Sequence, residues 1–397
     1  MIDPRFLHLL FSTASIDRWN DQIRPVEFVE LDKQSHKMIT AWLLGRIEEE
    51  ENGTEIDWRK LIDHGVCEFM YRAVLTDLKP PVFHHLAKHK KRELDAYVEK
   101  ELFGIIGENL KEKFKKYTAS DENGIERRIL RAAHFLASRW EFGIIYDFHP
   151  NAVGVEEIKR KIDSEVEDYL DLTGVRRLEM GIKSRNFLET CAMLRFQKRW
   201  AKTPRIPQTS VLGHMFFVAV TTYLLSLDYG ACGRKLYNNF FTALFHDIAE
   251  SLTRDIISPV KYGVEGLDEL LAEYEKDALE RKLLPMLPPY LRDEMRYFVN
   301  DEFADKIVVD GRLEIIDRTD LMQTKYNLDG YNGIDGSLIK VADHIGAFIE
   351  AAASIHNGVK PQSLVKAKES LSQKYRGFGI YGMDIEEILK GIEASQI

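Results

Sequence analysis

Apolar residues recur at every third and fourth position through most of this chain, and strict alternation is scarce. In "HMFFVAVTTYLLSL" (214–227) and "LYNNFFTALFHDIAESL" (236–252) the apolar positions run nearly all the way round, which predicts helices buried on most faces. In "VEEIKRKIDSEVEDYLDL" (155–172) charges separate the apolar positions, as on a surface helix. "DKIVVDG" (305–311) is the best candidate for a short strand. Breakers fall at 77–82, 118–124, 204–210, 286–291 and 328–337, and the Gly-rich last of these predicts a loop or inserted hairpin. The expected fold class is all-α.

Blocks of the first third return in the same order in the last half. "FSTASIDRWN" (11–20) resembles "LRFQKRWA" (194–201), both ending in Arg-Trp. "QSHKMITAWLL" (34–44) sits against "LGHMFFVAVTTYLL" (212–225), and "DHGVCEFMYRAVLTDLKPPV" (63–82) against "FHDIAESLTRDIISPV" (245–260). "RRILRAAHFLASRW" (127–140) follows against "SLIKVADHIGAFIEA" (337–351). Four blocks in one order predict a tandem duplication: a helical unit over 1–150, a helical linker over 151–189, and a second unit over 190–397.

Composition narrows the function classes. With 55 Lys and Arg against 64 Asp and Glu, the net charge of −9 disfavours a polynucleotide partner, while leaving room for a basic pocket around a small phosphorylated ligand. Cys67, Cys191 and Cys232 are widely spaced and outside any CxxC pattern, so neither a disulfide framework nor a zinc knuckle is expected. No signal peptide and no membrane span is read, and the expected setting is a reducing cytoplasm.

Ionisable residues inside an apolar helix cost several kcal/mol unless something pairs or coordinates them. The second unit holds His214, His246, Asp247, Glu250, Asp255 and Asp343. Two histidines and two aspartates suit one divalent transition metal, Mn, Fe, Co, Ni or Zn, with Mg as a further option. On a continuous helix His246 and Asp247 would point about 100° apart, so His214 and Asp343 would have to reach the ion from other helices. Glu250, four residues after His246, would share its face and could act as general acid or base. Plainer roles stand beside these: a hydrogen-bonded core histidine, a turn-capping Asp255, or a Glu250–Arg254 pair.

Together these residues resemble the HD-domain phosphohydrolase superfamily, whose pattern is H…HD…D, and within it the 5′-deoxynucleotidase-like branch. "RW" (199–200), His214, "HDIAESLTRDIISPVKY" (246–262) and "LIKVADHIGAFIEA" (338–351) carry the resemblance, over roughly residues 190–360. It implies His214, His246, Asp247 and Asp343 as metal ligands and Glu250 as catalytic carboxylate. Arg199, Trp200 and Asp255 would lie near the substrate's phosphate and sugar, with Lys261 adding charge. The spacing to Asp343 is longer than usual, by an insertion near 300–336, whose Asp317 or Asp320 is an alternative fourth ligand.

The implied activity is metal-dependent hydrolysis of a nucleotide phosphate ester, most simply a (deoxy)ribonucleoside 5′-monophosphate. Phosphodiesterase or triphosphohydrolase action is the neighbouring alternative, and a nucleotide-binding regulatory or scaffold protein the alternative from another class. In the first unit the matching residues read His36, His64-Gly65, Glu68 and His134, which suggests a degenerate copy. The two units would form an intramolecular pseudo-dimer, or the chain a homodimer.

Overall fold

Eight helices build the centre of the molecule: α1 (Pro4–Ser12), α2 (Glu30–Asn52), α3 (Trp58–Leu75), α4 (Ile125–Phe148), α5 (Lys183–Met193), α6 (Val211–Tyr229), α7 (Gly233–Phe245) and α8 (Gly336–His356). The structure, a computed structural model, describes residues 2–76, 78, 80–120, 124–254 and 264–395. Its secondary structure is overwhelmingly helical, as the apolar spacing predicts.

The apolar run of α6 explains its place. Every residue from Val211 to Leu227 is buried, because α7 and α8 cover one side of the helix and α2 the other. By length and composition α6 could cross a membrane, but 89% of its most apolar window is buried inside the molecule, as in a core helix. Ser210 caps its first turn, with Oγ accepting from the Gly213 amide at 2.9 Å, and Gly230 ends it in the left-handed conformation at φ 80°.

Helix α2, in the first half, packs on α4 and on α6. Trp42 anchors that contact: it is fully buried, lies edge-on to Phe245 at 5.1 Å, and donates from Nε1 to Tyr237 Oη at 3.2 Å. One buried apolar cluster runs from Ile2 to Ile392 and draws on both halves of the chain.

The strand expected at 305–311 is present as Asp305–Val309. It pairs antiparallel with Arg312–Ile315 on one side and Ile334–Asp335 on the other. The helix expected over 236–252 does not run through. It ends at Phe245, residues 246–249 form turns, and a short helix resumes at Glu250–Thr253.

Candidate metal centre

The break after Phe245 places the histidine. His246 caps α7, and its Nδ1 donates to the carbonyl of Ala243 at 2.7 Å, which fixes the tautomer and turns Nε2 inward. His214, one turn into α6, and Asp343, on α8, meet it there. One ligand atom from each of His214, His246 and Asp343 lies within 4.8 Å of the others. His214 Nε2 donates to Asp343 Oδ1 at 3.1 Å. Gly346, one turn beyond Asp343, makes room for the imidazole: a Cβ there would sit 3.0 Å from His214 Cε1.

Asp247 stands beside this trio rather than inside it, with Oδ2 3.2 Å from His246 Nε2 and 3.5 Å from Arg199 Nη1. Since His246 lies in a turn, the expected arrangement of His246 and Glu250 on one face of a continuous helix is replaced by a bend. The Glu250 carbonyl accepts from Gln197 Nε2 at 3.0 Å, and the Glu250 carboxylate lies close enough for its charge to act on Arg199. Asp317 and Asp320 are not at the cluster. Both are exposed, and Asp320 pairs with Arg318, so of the three candidate aspartates the fold brings Asp343 to the histidines. Asp255 and Lys261 lie outside the described residues.

Behind the trio is a carboxylate that the motif reading passed over. Glu350, almost fully buried on α8, accepts from Trp200 Nε1 at 2.8 Å, from Arg199 Nε at 3.3 Å and from Thr209 Oγ1 at 2.5 Å. Arg205 is 3.9 Å away. Glu350 follows Asp343 by seven residues and therefore shares its helix face, a spacing legible in "DHIGAFIE". Lys340, one turn before Asp343, reaches Asp343 Oδ2 at 3.1 Å and lies 3.8 Å from the Phe303 ring centroid. It too was not among the expected site residues.

The charges favour a cation. Burial opposes ionisation of Asp343 and Glu350, yet the His214 hydrogen bond and Lys340 for the first, and Arg199 and Arg205 for the second, hold both well below the usual carboxylate range. Asp247 is likewise lowered to about 2, burial being outweighed by His246 and Arg199. Burial works against a proton on His246, but the Asp247 carboxylate, with Asp343 beyond, pushes it up to about 9. A pocket that draws a proton this strongly, lined by imidazole and carboxylate donors, fits a divalent transition ion.

A family model for the HD domain matches residues 191–372. The matched segment, a little under half of the chain, is similar to an HD domain. The HD domain so defined contains the trio, Asp247, Glu250, Arg199 and Glu350. It resembles a 5′-deoxynucleotidase from Vibrio cholerae, 31% identical over 125 residues, covering 30% of this chain and 63% of that protein. A second relative, 5′-deoxynucleotidase ECA3034 of Pectobacterium atrosepticum, is 27% identical over 127 residues, covering 30% of this chain and 62% of that one. The chain thus spans less than two thirds of these relatives' lengths. A crystal structure of an HD-domain phosphohydrolase from Listeria innocua aligns with 53% of this chain and 92% of its own, at 20% identity and a TM-score of 0.37.

Proposed function

We propose that the HD domain is a metal-dependent phosphohydrolase acting on a nucleotide phosphate ester, most simply a (deoxy)ribonucleoside 5′-monophosphate. The convergence of His214, His246 and Asp343 within 4.8 Å carries this reading, and the names of the relatives point to the substrate class. His214, His246 and Asp343, with Asp247 beside them, would hold the ion. Such an ion, when bound, supplies a Lewis acid and a water of lowered pKa.

The chain's own residues do the rest. Arg199 is held between Asp247 and Glu350, ready to offset charge on a phosphoryl oxygen without first being ordered. Trp200, with its N–H committed to Glu350 and its backbone at φ 59°, keeps its ring in one place, where it can pack on a sugar or base. Glu250 is the acid-base candidate: it would orient or deprotonate the attacking water, or protonate the leaving alkoxide.

The test is phosphate release from ribo- and deoxyribonucleoside 5′-monophosphates by metal-stripped protein reloaded with Mn, Co, Ni, Zn or Mg, with Asp343→Ala alongside. We expect metal-dependent release, lost in the variant together with the bound ion. Release that persists in Asp343→Ala would overturn the site. Pyrophosphate or triphosphate as product from nucleoside polyphosphates, with no turnover of monophosphates, would reassign the ester.

A further inference from the structure

The first half of the chain repeats the Arg-Trp-Glu contacts of the HD domain. Arg18 Nε and Trp19 Nε1 donate to Glu141 Oε2 at 3.0 and 2.9 Å, as Arg199 and Trp200 donate to Glu350 Oε2. Trp19 and Trp200 share the rare left-handed backbone, at φ 55° and 59°. The 3₁₀ turns Thr13–Ser15 and Leu194–Phe196 precede them, and the strand partners Asp17 and Val29 match the bridge Lys198–Ser210. Through this stretch the two sets of residue numbers differ by a constant 181. At the other end of the bundle Lys60 pairs with Glu126 at 2.9 Å, as Lys235 pairs with Asp335 at 3.2 Å.

This register shows what stands at two of the metal-ligand positions. Fifteen residues after the arginine, His214 corresponds to Lys33, and seven before the glutamate, Asp343 corresponds to His134. The sequence alignment that set His36 against His214 is therefore off by one turn. Lys33, with no exposed surface, contacts both ring nitrogens of His134, Nε2 at 2.9 Å. The helix break that makes the His-Asp turn is missing, since α3 runs unbroken to Leu75.

We propose that the N-terminal half is a second copy of the HD helical unit in which the Lys33 side chain fills the place of the divalent ion, leaving a site that binds no metal. This rests on the metal-binding reading of the C-terminal site. The surrounding charge agrees with it. Burial, and then Arg18, Arg72 and Lys37 against the opposing Glu30 carboxylate, press Lys33 well below its ordinary range, and His134 is pressed down by burial, by Lys33 and by the same cations. A pocket in which one added positive charge is disfavoured repels a dication more strongly.

The experiment uses the full chain. Metal-stripped protein is dialysed against Mn or Co and its metal content measured, and crystals in the same ion are examined by anomalous scattering. One ion per chain is expected, with a single peak at His214, His246 and Asp343 and none at His134. A second peak at His134, or an ion that survives Asp343→Ala and is lost when His134→Ala is added, would overturn this inference while leaving the nucleotidase reading standing. No bound ion in the parent protein would overturn both.

Discussion

At the scale of single residues, Glu350 is the side chain on which the site's geometry turns. It touches the arginine, the indole and Thr209 at once while facing His214 at 3.6 Å. Replacing it with alanine leaves Arg199 and Arg205 without their buried carboxylate, a loss of ~3–5 kcal/mol for a partner removed from a buried pair. We expect Glu350→Ala to lower Tm by several degrees and to reduce turnover, and Glu350→Gln, which can still accept from Trp200, to recover part of both. Because its folded pKa is depressed, Glu350 contributes stability above the ordinary carboxylate range, and that contribution is lost as pH falls through the folded value. His246 has the opposite sign. In the ion-free protein it keeps its proton up to about 9, so binding an ion at pH 7 must release it. Apparent metal affinity should therefore climb ~tenfold per pH unit below that value and then level off. Calorimetry in buffers of different ionisation enthalpy reads the released proton directly; no proton release at pH 7 would contradict the assignment of His246.

At the scale of helices, the close approach of α2 to α6 sets His214. Ser210 Oγ donates to Asp32 Oδ1 at 2.6 Å while capping α6, and a Cβ on Gly213 would come within 2.6 Å of that same oxygen and 3.3 Å of Leu31. Gly213→Ala should push the first turn of α6 away from α2, at ~1–3 kcal/mol for an overpacked contact, and weaken metal binding through the neighbouring His214. Thermal unfolding and ion titration measure the two effects; an unchanged Tm with unchanged affinity would show that the contact yields freely. The helices themselves were legible in the sequence, because the apolar residues of α6 and of the C-terminal half of α7 run nearly all the way round and only a core offers that environment. The strand at 305–309 was legible from its run of β-branched residues, Ile307-Val308-Val309. The turn at 246–249 was not, since nothing in "FHDIAESL" breaks helical spacing and its bend arises from tertiary contacts. Glu350 was hidden for a related reason: one glutamate in "GAFIEAA" reads as an ordinary surface residue until the fold buries it. In the register proposed for the first half, Lys33 rather than His36 stands against His214, a slip of one helical turn that leaves the apolar pattern undisturbed.

At the scale of the whole molecule, the two halves share one buried cluster, with Trp42 of the first half among Phe187 of the connecting segment and Phe241, Phe245 and Phe298 of the second half. We expect a single cooperative unfolding transition in calorimetry, and Trp42→Ala to destabilise it by ~3–5 kcal/mol; two resolved transitions would mean that the halves unfold separately. The cross-link from Arg195 to Glu141 at 2.8 Å, both side chains almost entirely buried, has a practical corollary. Arg195 sits just inside the segment that matches the HD family, whereas its carboxylate belongs to a helix about fifty residues upstream of that segment. A truncated gene product drawn at the family limits would carry a stranded guanidinium and an uncovered α6 face, and should come out of cells as inclusion bodies. For anyone choosing where to cut this chain, the unit of inheritance and the unit of folding have different ends.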